Sequence, residues 1–290
     1  MSGDKVGFIG VGVMGKPMVE NLLKKGFHVV AYDVQKERLD ALQKSGAQVA
    51  RSCKEAAELS DVIIVMVLDS KQAEVVILGQ EGVLSGAKEG SVIIVTSTLT
   101  PAFVKRVAEA VAKKGVGFID APVSGGSPSA VAGTLTIMAG GEDAVIERCR
   151  PILEAVSKSI FIIGPVGTGQ AIKLANQIIA NSSWIATSEA VAMALKAGIS
   201  LQRFLEIIRV STGNTWAAQG NTWLTWWKLK VAKGSTSLNM NIKDIKLAFE
   251  TSQEYGLNLT HLEALANLDV MALLKNVPSE LAEEGGEANS

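Results

Sequence analysis

Residues 6–15, VGFIGVGVMG, constrain this chain more than any other stretch: an apolar run suited to a buried strand enters a Gly-x-Gly-x-x-Gly loop at Gly10, Gly12 and Gly15. Glycines at this spacing let backbone approach a pyrophosphate and aim a helix N-terminus at it. Three glycines alone also fit an ordinary tight turn. Here a helical pattern at 17–25 and a second strand at 28–33 complete a strand-helix-strand unit, the context in which the loop signifies a dinucleotide. The expected cofactor-binding positions are Gly10, Val11, Gly12, Val13, Met14 and Gly15.

The second strand ends in Asp33. A carboxylate there accepts hydrogen bonds from the adenosine ribose and repels a 2′-phosphate, so it favours NAD over NADP. The same residue also fits an N-cap for a helix over 34–42. Lys36 and Arg38 could reach a 2′-phosphate if the loop bends, so NADP stays open.

Composition excludes several classes of function. With 290 residues and 48% hydrophobic content, the chain can bury a large core and is expected to form two domains. Its 28 basic and 29 acidic residues are well mixed, net charge -1, with no basic stripe for nucleic acid. The first strand begins near Lys5, leaving no room for a signal peptide, and the apolar stretches are strand-length or interrupted. The expectation is a soluble, cytoplasmic protein without a membrane partner, or one housed in an organelle. Cys53 and Cys149 are far apart and read as free thiols, and His28 and His261 form no set with them, so no metal site is expected. Scarce histidine matters for mechanism: an enzyme that moves a hydride must also move a proton, and another side chain has to carry it.

Strand and helix signals alternate in the first half. Apolar runs at 61–68 and 91–96 are those of parallel strands covered on both faces; a helix is expected at 101–114, with strands at 117–120, 134–140 and 159–164. From Gly167 onward helices take over, at 168–196, 201–210, 216–231, 240–255 and 259–275, and the acidic end 281–290 reads as a disordered tail. The fold class is therefore α/β: a Rossmann-type doubly wound domain over 1–164, then a helical domain over 165–290 that includes a long interdomain helix.

That long helix carries Lys173, with Asn176 and Gln177 at i+3 and i+4 on the same face among apolar neighbours. A lone lysine on such a helix is commonly a solvated charge; held at a domain interface beside two amides, it is partly desolvated and able to exchange a proton near neutrality. A second constellation, Ser124-Gly125-Gly126, follows a strand and so lies at the sheet's carboxyl edge. It offers a hydroxyl and consecutive N–H groups to an anion such as a carboxylate, though a plain glycine turn would read the same.

These stretches together, GFIGVGVMGKPM (7–18), VTSTLTP (95–101), FIDAPVSGG (118–126), GTLTIMAGG (133–141), GPVGTGQAIKLANQ (164–177) and NIKDIKLA (241–248), resemble the β-hydroxyacid dehydrogenase family, which includes 3-hydroxyisobutyrate dehydrogenase and tartronate semialdehyde reductase. The resemblance implies reversible hydride transfer between a nicotinamide cofactor and a small anionic 3-hydroxy acid or its semialdehyde, in a homodimer or homotetramer. It puts the catalytic lysine at Lys173, the substrate-holding Ser-Gly-Gly at Ser124, Gly125 and Gly126, and cofactor contacts at Val67, Leu68, Thr98 and Lys243. Either Asn176 or Gln177 orients the substrate, because many relatives carry asparagine where this chain has Gln177.

Further departures lie in the helical half. Four of five tryptophans fall at 216, 223, 226 and 227; Trp216 is expected to line the substrate site and the others to serve packing or oligomer contacts. Against typical members of that family, the region after Leu259 is expected to be shorter, reaching a helix centred on Asp269 early. Imine reductases share such a fold, but the lysine position usually differs in them, so Lys173 argues against that activity. Inactive dehydrogenase-derived interaction modules typically lose the lysine and gain basic or tethering segments, neither of which is present here.

Overall fold

The structure is a computed structural model that describes residues 4–219, 222–227, 236–274 and 276–277. The chain divides into two compact units, Met1–Lys173 and Leu174–Ser290.

In the first unit, β1 (Val6–Ile9), β2 (Val29–Tyr32), β3 (Gln48–Val49), β4 (Val62–Val65), β5 (Val92–Val95) and β6 (Gly117–Asp120) are parallel, in the order β3-β2-β1-β4-β5-β6. Strands β7 (Val123–Ser124), β8 (Leu135–Gly140) and β9 (Ser157–Gly164) extend the sheet beyond β6, with β8 antiparallel to β6 and β7 but parallel to β9. The helices are α1 (Gly15–Lys24), α2 (Lys36–Lys44), α3 (Cys53–Glu58), α4 (Ser70–Leu78), α5 (Val83–Gly86), α6 (Pro101–Ala112), α7 (Gly126–Ala132) and α8 (Asp143–Glu154).

Alternation along each strand explains the continuous apolar runs. Phe8, Ile64 and Ile94 share one core with Met18 and Leu22 of α1 and Ile146 and Ile152 of α8. Their neighbours Ile9, Ile63, Val65, Ile93 and Val95 share the opposite core with Ala56 of α3, Ile77 of α4 and Val104 and Val107 of α6. Both faces are covered, so neither has room for polar residues. Topology reverses at β1, which pairs with β2 on one side and β4 on the other, opening the crevice where such sheets bind ligands.

The helix α9 (Thr168–Lys196) begins in the first unit and continues into the second. There follow α10 (Leu201–Arg209), α11 (Thr222–Trp227), α12 (Thr236–Glu254), α13 (Thr260–Ala266) and α14 (Val270–Leu274). The second unit's core gathers Leu174, Trp184, Ile185, Val191, Trp223, Ile245, Leu262 and Leu265.

Among the described residues, two helices expected from sequence are each interrupted. At 216–231 a 3-10 turn, Trp216–Ala218, ends at Gln219, whose extended backbone separates it from α11; the Gln219 side chain donates to Asn214 Oδ1 at 2.6 Å. At 259–275 the break falls between α13 and α14, where Asp269 Oδ1 accepts the Ala272 N–H at 3.0 Å. Asp269 thus caps a helix instead of centring one. The expected tail at 281–290 lies outside the described residues.

Candidate functional site

The three loop glycines have different reasons for being glycine. Gly10, at φ +93°, has Met66 O where a Cβ would come within 2.2 Å, and a Cβ on Gly15 would come within 2.0 Å of Gly10 O. Packing of β1 against β4 and of the loop on itself therefore requires both. A Cβ at Gly12 would meet only the Arg38 guanidinium at 3.6 Å, an ordinary contact. The protein's own packing does not demand glycine at Gly12, whereas close approach of a dinucleotide phosphate there would. The loop leads into α1 with Lys16 N–H bonded to Gly12 O at 2.9 Å and Met14 as the N-cap. Val13, 78% exposed, and Leu68, 46% exposed, leave apolar surface beside this edge.

Asp33 is buried and organises the loop. Its Oδ2 accepts the Val11 N–H at 2.8 Å and its Oδ1 accepts the Gln35 N–H at 2.8 Å, while the Arg38 guanidinium stands 3.5 Å from Oδ2. The helix N-cap anticipated at Asp33 falls instead on Gln35, because α2 begins at Lys36.

A chain of buried and part-buried hydrogen bonds ties α9 to the carboxyl ends of three strands. After β4, the Val67 N–H donates to Ser97 Oγ at 2.8 Å. After β5, Gln170 Nε2 donates to Ser97 O at 2.9 Å and Gln170 Oε1 accepts the Leu99 N–H at 2.9 Å, bracketing Thr98. After β6, Asp120 Oδ1 and Oδ2 accept the Gly167 and Gln170 N–H groups, each at 2.8 Å. Burial pushes the Asp120 carboxyl up to about 7, against the backbone N–H groups, which favour its anion. Lys173, 6% exposed, sits on the next turn of this fastened helix.

Sequence reasoning gave no role to Gln170 or Ser97 and none to the Asp120 carboxylate. The only local signal was a buried-type position filled by an amide, Gln170, in the first turn of a long helix.

Ser124 is half-buried in β7, opposite Thr136 of β8, and Gly125 and Gly126 follow at φ +123° and +65°. A Cβ on Gly125 would lie 2.5 Å from the Ser129 side chain, so glycine is required by the turn itself as well as by its dihedral.

In the second unit, Gln177 Nε2 donates to Asp244 Oδ2 at 2.6 Å, Asn176 Nδ2 donates to Gln177 Oε1 at 3.3 Å, and the Lys243 ammonium stands 3.3 Å from Asp244 Oδ1. The two amides and the Lys243-Asp244 pair form one network. Trp216 is 52% exposed, whereas Trp223 is fully buried and its Nε1 donates to Ser188 Oγ at 2.9 Å. The side chains of Trp226 and Trp227 lie outside the described residues. Among the described residues no cluster of His, Cys, Asp and Glu could hold a metal ion, and no helix is long and apolar enough to cross a membrane. Cys53 and Cys149 are free and buried, and burial pushes their thiols up to about 12 and about 11.

Residues 5–164 match the family model of the NAD binding domain of 6-phosphogluconate dehydrogenase, and residues 167–279 match that of the NAD-binding region of NADP-dependent 3-hydroxyisobutyrate dehydrogenase. The chain is 36% identical over 250 residues to 2-(hydroxymethyl)glutarate dehydrogenase of Eubacterium barkeri, covering 86% of this chain and 83% of that one. It is 35% identical over 254 residues to the NAD-dependent L-serine dehydrogenase of Pseudomonas aeruginosa, covering 86% and 85% respectively. Among solved structures, a Mycobacterium tuberculosis 3-hydroxyisobutyrate dehydrogenase with L-serine superposes with a TM-score of 0.82 at 29% identity, covering 94% of this chain and 98% of that one.

Proposed function

This chain belongs to the β-hydroxyacid dehydrogenase family and carries its NAD(P)-binding domain; we propose that it oxidises a small 3-hydroxy acid to the semialdehyde, and reduces it back, with Lys173 moving the hydroxyl proton. The observation that carries this reading is the burial of Lys173 one turn beyond the point where Gln170 and Asp120 fasten α9 to the sheet's carboxyl edge. A cation built so firmly into a ligand-binding edge is poorly explained as a solvated surface charge.

Bound NAD(P) supplies a hydride acceptor, and in its reduced form a donor. The residues that would hold it are the 10–15 loop, Asp33, Val67, Leu68 and Thr98, together with Lys243. In this proposal 1–164 is the dinucleotide-binding domain and 165–290 the helical domain that includes the long interdomain helix.

Lys173 Nζ as a neutral amine takes the substrate hydroxyl proton during oxidation; as an ammonium it returns that proton during reduction. Its positive charge stabilises the alkoxide-like oxygen that develops as the C–H bond breaks. Ser124 Oγ and the N–H groups of Gly125 and Gly126 hold the substrate carboxylate. Asn176 or Gln177 orients the hydroxyl: each amide nitrogen carries two N–H groups, of which Gln177 Nε2 gives one to Asp244 Oδ2 and Asn176 Nδ2 gives one to Gln177 Oε1. Trp216 lines the substrate side, NAD is the preferred cofactor, and the active form is a cytoplasmic homodimer or homotetramer.

The test is incubation with NAD and NADP and a panel of hydroxy acids, among them hydroxyisobutyrate, glycerate, hydroxybutyrate and serine, read by reduced-nicotinamide absorbance. Turnover of at least one acid supports the reading. Reduction of cyclic imines with no hydroxy-acid turnover, or NAD(P) binding with no turnover of either kind, overturns it.

A further inference from the structure

We infer that Gln170 is a positioning residue that sets Thr98 against Lys173, fixing the cofactor-side loop relative to the proton-transfer group; this rests on the function proposed above. One side chain does this by holding both peptide groups that flank Thr98. The Ser97 carbonyl belongs to the peptide before Thr98 and accepts from Gln170 Nε2 at 2.9 Å; the Leu99 N–H belongs to the peptide after it and donates to Gln170 Oε1 at 2.9 Å. With both peptides held, rotation about Thr98 φ or ψ strains one of these two hydrogen bonds.

Gln170 itself cannot drift. It is fully buried, and its own N–H is held by Asp120 Oδ2 at 2.8 Å. Lys173 follows at i+3, stacked on the same helix face about 5–6 Å away between Cβ atoms. The path from Thr98 to Lys173 thus consists of one planar amide and one helical turn. The Ser97 hydroxyl extends it to the end of β4 by accepting the Val67 N–H.

A leucine would fill the same volume in a helix that needed only packing, but it would leave Ser97 O and Leu99 N–H without their partner. An amide with one donor and one acceptor in a plane matches these two groups, as a neighbouring strand would, and this match is the evidence for a positioning role.

The test uses the full-length protein as wild type, Gln170→Leu and Gln170→Glu. Glutamate keeps the acceptor for Leu99 N–H but opposes the Ser97 carbonyl with a second oxygen unless its carboxyl is protonated. Asp120 is the titratable group in direct contact with residue 170, and Lys173 the charged one on the next turn. Both are common to wild type and variants, so the variant-to-wild-type ratio is read. Hydrogen exchange of the 96–100 segment, the NADH dissociation constant and kcat per folded molecule are measured from pH 5.5 to 8.5.

For Gln170→Leu the expected results are faster exchange at 96–100 and a kcat loss of about 10–100-fold at every pH, the scale of a misplaced reacting group. For Gln170→Glu the kcat ratio should recover about tenfold or more as pH falls, which a merely structural role would not produce. Unchanged exchange at 96–100, or kcat per folded molecule and NADH affinity within twofold of wild type in both variants, would overturn the inference. An inactive wild type strikes the proposed function instead, and exchange together with NADH titration still reads the pinning of Thr98.

Discussion

Asp33 holds the glycine loop through Val11, whose N–H it accepts on Oδ2 at 2.8 Å, and the Arg38 guanidinium stands 3.5 Å from that same oxygen. The carboxylate that would meet an adenosine ribose therefore already has a counter-charge beside it. Arg38 is also the nearest group to the space beside Gly12. In the proposed function, cofactor choice follows from the balance of these two residues.

From this pairing, kcat/KM should be higher with NAD than with NADP. Asp33→Ala should narrow or reverse the gap, because it removes a ribose acceptor and a charge that repels a 2′-phosphate. Arg38→Ala should widen it. Asp33→Ala also loses the Val11 bond and will depress both cofactors, so the ratio is the quantity to measure. A wild-type preference for NADP would show that Lys36 or Arg38 dominates.

Ser124→Ala should weaken substrate turnover and leave NADH affinity nearly unchanged. Loss of a hydrogen bond to a charged group is worth about 1.5–3 kcal/mol, or roughly ten- to a hundredfold in kcat/KM. Lys243→Ala should show the opposite pattern, a weaker NADH dissociation constant measured by fluorescence titration. If Lys243→Ala leaves both that constant and the kinetics unchanged, Lys243 has no part in cofactor binding.

The Asp120 carboxyl predicts a pH signature in stability. Its folded-state value of about 7 lies above the ordinary carboxylate value, so the folded chain binds this proton more tightly than the unfolded chain. The contribution is fully present below about pH 4 and is lost as pH rises through about 7. Asp120→Asn cannot titrate. Urea unfolding of both proteins should therefore show the wild-type advantage shrinking from pH 4 to pH 7.5. A constant difference would mean that Asp120 stays ionised throughout, held by the Gly167 and Gln170 N–H groups.

Local patterns were legible in the sequence, and long-range links were not. Helix α9 and strand β6 were read with the bounds they have, Thr168–Lys196 and Gly117–Asp120, since glycines at 167 and 198 bound the one and a short apolar run defines the other. The broken helices near Trp216 and Asp269 were missed because the extended backbone at Gln219 and the Asp269 cap interrupt otherwise helical stretches. The glycine loop is recognisable because its spacing is local. Gln170 finds its partners 71 and 73 positions away at Leu99 and Ser97, and Asp120 finds its own 47 and 50 away at Gly167 and Gln170. No spacing rule reaches so far; only the sheet order, which lays the ends of β5 and β6 side by side, brings these groups to one helix.

The most direct measurement is the turnover of Lys173→Ala beside its NADH affinity, on the hydroxy acid the wild type uses best. Removal of a general acid-base group costs about 10²–10⁴-fold, and loss of the charge facing the developing oxyanion adds to it. The account predicts turnover at or below the detection limit with the NADH dissociation constant within a few-fold of wild type. Activity within about tenfold of wild type would contradict it and remove Lys173 from proton transfer.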